Sequence, residues 1–297
     1  MNRWAKGVGG VVAALVVVVG ATVLVGLQLG ERKKMRIVQA QPAAVAYVND
    51  PASFERGRYL FSTRGCVDCH GANGAGRDLV NDGSTRISGP NITSGGVVKA
   101  YQELDWVRII RHGVKPDGTP AQVMPSEDYN RLTDADLASL VAYVRSFPPA
   151  QGGAAVVQMP LPARVLYGLG AIPDAAMRID HRLPPQAPLP ASDGAALGKY
   201  AVNMCIGCHG EHLSGGKILT GPPDWPAAPN LTPGEASVMP RYPNAEAFLA
   251  MLKSGKRPDG SPISIMPFES LSRIDEGEAR ALYAHLKTVP ARPAGQH

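Results

Sequence analysis

Cys66-Val67-Asp68-Cys69-His70 returns as Cys205-Ile206-Gly207-Cys208-His209, and these runs hold all four cysteines of the chain. Two thiols spaced by two residues reach the two vinyl groups of one haem and become thioethers. The histidine that follows is then fixed beneath the iron as an axial ligand. The spacing therefore predicts two covalently bound c-type haems. Cys66, Cys69 and His70 hold one, and Cys205, Cys208 and His209 hold the other. A four-ligand zinc site built from both cysteine pairs is the rival. Zinc pairs usually stand about 12–20 residues apart, whereas about 135 residues intervene here. Neither zinc nor a disulfide gives a role to the repeated frame around each motif.

A haem c iron takes a second axial ligand opposite the histidine or keeps an open site. Of nine methionines, Met124, Met159, Met239 and Met266 precede a proline, and only Met124 and Met266 hold equivalent places in the repeat. They follow His70 and His209 by 54 and 57 residues. Each lies eleven residues after a glycine that ends a predicted helix, Gly113 or Gly255, and six after the glycine of a Pro-Asp-Gly turn. Methionine more often fills a core, but duplication of the whole frame points to Met124 and Met266 as thioether ligands. His112, His181, His212, His285 and His297 do not recur between the copies and read as surface or structural histidines. A ligating imidazole usually donates its second N–H to a carbonyl or carboxylate. Pro90 and Pro229, about 20 residues after each histidine, are the expected carbonyl partners. Arg86 and Trp225 are candidates for the haem propionates or ordinary loop residues.

The elements that must position these groups also come twice. Gly57-Arg58-Tyr59 answers Gly198-Lys199-Tyr200, and Pro90-Asn91-Ile92-Thr93 answers Pro229-Asn230-Leu231-Thr232. One copy covers residues 51–148 and the other 192–290. Each reads as a helix entering the motif, a second helix (Tyr101–His112, Ala245–Ser254) and a third. The third begins at a capping-box pattern, Thr133-x-x-Asp136 or Asp275-x-x-Glu278. Leu137, Leu140, Val141 and Val144 form one apolar helical face. No strand pattern stands out, so the fold class is all-α. Residues 149–191 read as a Pro-rich linker, stiff and extended at Pro184-Pro185 and Pro188-x-Pro190, with a short helix at Ala163–Tyr167. Val38 to Pro51 is a second stiff spacer.

Gly7 to Gly30 carries no charged side chain. At about 1.5 Å per residue those 24 residues span about 36 Å, enough for a hydrocarbon core of about 30 Å. Residues 1–37 read as an uncleaved signal-anchor, with cleavage after Ala40 as the alternative. The net charge of +5 resides in that segment, which has six basic side chains against one acidic. The remainder is formally neutral, which removes the case for nucleic acid as a partner. Haem attachment happens outside the bacterial cytoplasmic membrane, so the haem-bearing part is expected in the periplasm.

Both copies resemble small class I cytochrome c domains in their N-terminal helix, C-x-x-C-H, P-N-[IL]-T loop, M-P loop and C-terminal helix. The whole resembles membrane-anchored two-haem cytochromes that serve as subunits of periplasmic dehydrogenases. Cytochrome subunits of alcohol and gluconate dehydrogenases are similar but typically carry three such motifs. The resemblance implies a non-enzymatic electron carrier in the inner membrane with a periplasmic dehydrogenase as donor. Quinone, a soluble cytochrome or a terminal oxidase would be the acceptor. A di-haem peroxidase and a terminal-oxidase subunit are the alternatives.

Overall fold

The computed structural model describes residues 3–189, 194–218, 221–222 and 225–296. Ser192, the expected start of the second copy, Ala191, where the linker is expected to end, and His297 lie outside the described residues. The chain is mostly helical. It opens with α1 (Arg3–Lys34), α2 (Pro51–Thr63) and α3 (Cys66–His70), followed by the short strands β1 (Asp78–Asn81) and β2 (Arg86–Ser88). Next come α4 (Glu103–His112) and α5 (Asp134–Arg145), then β3 (Val156–Gln158), α6 (Leu161–Gly168) and α7 (Ala175–Arg178). The second half contains α8 (Gly194–Ala201), α9 (Ile206–His209), α10 (Ala245–Ser254), α11 (Phe268–Leu271) and α12 (Glu276–Leu286).

Local chemistry sets the helix ends. Asp50 caps α2 by accepting from the Ser53 N–H, and Pro51 starts the helix where no backbone donor is needed. Thr133 and Asp275 cap α5 and α12 by accepting from the N–H groups of Asp136 and Glu278. Gly113 and Gly255 close α4 and α10 in the left-handed region. α2 packs across α5, and α8 across α12. The crossings are close because Gly57 and Gly198 bring bare backbone against the carbonyls of Ser139 and Ala281. Leu60, Leu137 and Val141 are buried in one apolar core, and Leu252, Leu282 and Leu286 in a second.

One sequence expectation needs correction. The chain has strands: β1, β2 and β3 make a small antiparallel sheet, with Ile87 opposite Val157. At three or four residues each, they are too short to display an alternating pattern. The proline-rich segment contains the expected short helix, as α6, and further structure besides. It contributes β3 to the sheet, and α6 then packs on α1. Gly26 and Gly30 of α1 let the helices touch there. A side chain at Gly26 would overlap Val165, and one at Gly168 would overlap the Gly26 carbonyl. Lys33 Nζ donates to the carbonyls of Tyr167 and Ile172 at 2.9 and 2.8 Å, and Arg36 forms a two-pronged ion pair with Asp174. Gly7–Lys34 is long and apolar enough to cross a membrane. The stretch after it is likewise folded: Val45 is buried in the first core, and the Tyr47 hydroxyl donates to the Glu103 carbonyl.

The two halves meet through equivalent residues. The Tyr59 hydroxyl, on α2, donates to Glu278 at 2.5 Å and accepts from the Asp275 N–H at 3.3 Å. The Tyr200 hydroxyl, on α8, donates to Asp136 at 2.6 Å and accepts from the Thr133 N–H at 3.3 Å. Each capping box is thus only half closed on itself, and its third-position carboxylate serves the other half. Arg64 forms a buried ion pair with Glu278, and Arg56 binds Asp136 with both prongs. Burial pushes the Asp136 carboxyl up. The Arg56 hydrogen bonds and charge, with the Tyr200 hydroxyl, outweigh that and hold it below the ordinary range. A depressed carboxyl stabilises the fold above its unfolded value near pH ~3.9 and loses that contribution as pH falls through its folded value. Asp136→Asn is therefore expected to cost about 1–3 kcal/mol at neutral pH. In urea titrations the gap from wild type should close progressively below about pH 4.

Candidate functional site

Each attachment motif lies on a single helical turn. Gly65, in the left-handed region at φ 79°, starts α3, and Gly71 and Gly210 end α3 and α9. Val67 is buried beneath the first turn, which holds Cys66, Cys69 and His70 on one tight segment. Cys205, Cys208 and His209 share the equivalent segment. All four thiols are unpaired.

The two imidazoles are held alike. His70 Nδ1 donates to the Pro90 carbonyl at 3.0 Å, and His209 Nδ1 to the Pro229 carbonyl at 2.9 Å. The carbonyl cannot donate, so Nδ1 carries the proton and Nε2 keeps its lone pair. Burial pushes both histidines below their ordinary value, which favours the neutral, metal-ligating form.

Asparagine and threonine of the P-N-[IL]-T loops hold those carbonyls in place. Asn91 Nδ2 donates to the Ala150 carbonyl, and its Oδ1 accepts from the Thr93 N–H. Asn230 does the same with the Arg292 carbonyl and the Thr232 N–H. Thr93 and Thr232 accept in turn from the N–H groups of Ala150 and Arg292. All four side chains are buried. Each loop is thereby tied to the chain just beyond a C-terminal helix. The repeat marked these residues in the sequence, but not their partners.

Gly76 and Gly215 make the return from the histidine possible. Their N–H groups donate to the carbonyls of His70 and His209, both at 2.9 Å. Both have positive φ, 85° and 71°. A Cβ on either would overlap the carbonyl just before the proline, that of Gly89 or Ala228.

Met124 and Met266 lie on loops of one design. Asp117 and Asp259 accept from the N–H groups of Thr119 and Ser261, both at 2.9 Å, and close the Pro-Asp-Gly turns. Beyond them Pro125 (φ −80°, ψ 62°) and Pro267 (φ −77°, ψ 68°) each centre an inverse γ-turn. In it the Met124 carbonyl accepts from Ser126, and the Met266 carbonyl from Phe268, both at 2.9 Å. Each methionine is half-buried against the core of its own half.

Residues 54–148 match the family described as cytochrome c. These residues form a cytochrome c domain. The chain is also 29% identical over 285 residues to the fructose dehydrogenase cytochrome subunit of Gluconobacter japonicus, covering 86% of this chain and 56% of that protein. It is 26% identical over 292 residues to the cytochrome c subunit of an alcohol dehydrogenase (quinone) of Gluconobacter oxydans (strain 621H), covering 86% and 58%. A cbb3-type cytochrome c oxidase subunit of Helicobacter pylori (strain 52) is 26% identical over 115 residues, covering 38% and 35%. The chain thus spans little more than half the length of the first two relatives.

A cytochrome c domain implies covalently bound haem c, and the donors here fit that group. Each half has two adjacent thiols, an imidazole with its Nε2 lone pair available, and a methionine on a proline-braced loop. Burial pushes Cys66 and Cys205 up to about 12, so neither is poised as a thiolate nucleophile. Among the described residues, no three His, Cys, Asp or Glu side chains converge on a common metal position, which leaves the four-ligand zinc arrangement unassembled. Arg86, on the central strand β2, pairs with Asp78 of β1, and the Trp225 carbonyl accepts from Lys217. His112 and His181 face each other, Nδ1 to Nδ1, at 3.1 Å, well apart in role from the attachment turns.

Gly76→Ala and Gly215→Ala combine positive-φ strain of about 1–2 kcal/mol with the overlap on the proline loop. Gly83 also has positive φ, 85°, but open space around it, so Gly83→Ala is the matched control. Chemical denaturation should rank both site variants below the control, and haem-stained yield should fall with them.

Proposed function

We propose that the chain is a membrane-tethered two-haem cytochrome c that carries electrons from a dehydrogenase into the respiratory chain. Its parts are an anchor over residues 1–37, one haem domain over 51–148, a Pro-rich linker over 149–191 and a second haem domain over 192–290. In this reading Cys66 and Cys69 form the thioethers of one haem, with His70 and Met124 as axial ligands. Cys205, Cys208, His209 and Met266 serve the other. The observation that carries it is the duplicated frame: a carbonyl-pinned imidazole and a γ-turn methionine loop recur in each half.

Bound haem would supply a one-electron iron couple, and His/Met ligation favours its reduced form. The chain's residues do the rest. The Pro90 and Pro229 carbonyls orient the imidazoles and fix their tautomer. The proline turns at Pro125 and Pro267 would hold Met124 and Met266 as weak thioether ligands and limit movement of the site between oxidation states. With His70 and Met124 holding one haem iron and His209 and Met266 the other, no position would be left for a substrate, which would suit electron transfer and disfavour peroxide turnover.

The anchor reading rests on the apolar length of α1, with the haem domains on the periplasmic side, where thioether attachment occurs. Tethering raises effective concentration near membrane partners. Similarity to the two dehydrogenase cytochrome subunits supports a periplasmic dehydrogenase as donor, and quinone, a soluble cytochrome or a terminal oxidase as acceptor. Similarity to an oxidase subunit supports residence in a terminal oxidase as the second reading, which co-purification separates.

Optical and magnetic spectra of the purified protein test the core of this reading. Two low-spin haems with a weak far-red Fe–S band are expected, with Met124→Ala and Met266→Ala each removing about half of that band. A high-spin haem in the resting protein that turns over peroxide would overturn it.

A further inference from the structure

The loop after each methionine reaches across to the attachment turn of the other half, and it does so twice with equivalent residues. Asp128, four residues after Met124, accepts from the Gly207 N–H at 2.7 Å. Gly207 is the second spacer of Cys205-Ile206-Gly207-Cys208-His209. Ser270, four residues after Met266, donates its hydroxyl to Asp68 at 2.9 Å. Asp68 is the second spacer of the first motif. The carboxylate therefore sits on the methionine loop in one contact and on the attachment turn in the other.

An arginine reinforces each contact. Arg77 Nε donates to the Asp68 carbonyl at 2.7 Å, while its Nη2 donates to Glu269 at 2.9 Å. Arg178 Nη1 donates to the Gly207 carbonyl at 3.3 Å and to Glu127 at 2.6 Å. Glu127 and Glu269 each lie three residues after their methionine. Arg77 follows the first motif, whereas Arg178 comes from α7 in the connector. Two unrelated positions thus supply the same guanidinium bridge. Gly207 permits its contact, since a Cβ there would lie 2.8 Å from Asp128 Oδ2.

We propose that the two haem sites are cross-braced: the loop behind each methionine positions the attachment turn of the other half, with Asp128 and Ser270 as the positioning residues. The midpoint potential at each site is then set in part from the opposite half. This rests on the two-haem reading above.

Both directions can be tested in the full-length haem-loaded protein by optical redox titration. The two waves are assigned by which one Met124→Ala or Met266→Ala displaces. Ser270→Ala leaves the Asp68 carboxylate without its hydroxyl donor. It should lower the midpoint of the Cys66–His70 site and leave the other in place, and Ser270→Thr should restore it. Asp128→Ala should move the midpoint of the Cys205–His209 site alone. A merely local role predicts the reverse, with each variant moving the site of its own methionine. That result, or unmoved waves in both variants at full haem content, would overturn the proposal. Failure of the haem reading itself is seen separately, as starting protein without covalent haem.

Discussion

Each candidate iron site hangs on one hydrogen bond, from a histidine Nδ1 to a proline carbonyl. That bond fixes the tautomer, aims Nε2 and sets the ring plane. Much of each half is arranged to keep the carbonyl still. The asparagine and threonine after the proline tie its loop to the chain beyond the C-terminal helix. A positive-φ glycine lets the return strand pass beneath it. The helix crossing at Gly57 or Gly198 holds that C-terminal helix against the helix leading into the motif. Displacement anywhere in this chain of contacts would be felt at the imidazole.

The second organising constraint is the contact between halves. Tyr59 and Tyr200 exchange partners with Glu278 and Asp136 across a pseudo-twofold relation, as expected when two copies of one surface meet. The carboxylates involved occupy positions that would otherwise complete a capping box. Local helix capping has been traded for contact between copies, and the unpaired cap N–H is satisfied by the tyrosine hydroxyl instead. The connector is part of the same assembly, since Arg178 of α7 bridges the two halves while α6 holds the end of α1.

The repeat was legible because the chemistry needs fixed residue types at fixed spacing. Cys-x-x-Cys-His, the glycine helix ends and the Met-Pro pairs are all local signals. So was the Pro90 and Pro229 pairing, since a ligating imidazole needs a partner for its second nitrogen. What stayed hidden depends on partners remote in sequence. Thr133-x-x-Asp136 reads as a closed capping box until Tyr200 is brought alongside. The Gly26-x-x-x-Gly30 spacing in α1 has no meaning until Val165 and Gly168 pack on it. The strands stay hidden because each is only three or four residues long, and β3 lies far along the chain from the two strands it joins. Pro160 and Pro162 of the proline-rich segment begin α6, where a missing N–H costs little.

Thioether-linked haem in both halves would be read from the intact mass of the mature protein, measured with thiol alkylation under denaturing conditions. The expected mass equals the polypeptide plus two haems, with all four cysteines resistant to alkylation. A polypeptide of unmodified mass with alkylatable thiols, or one carrying a single haem, would contradict it.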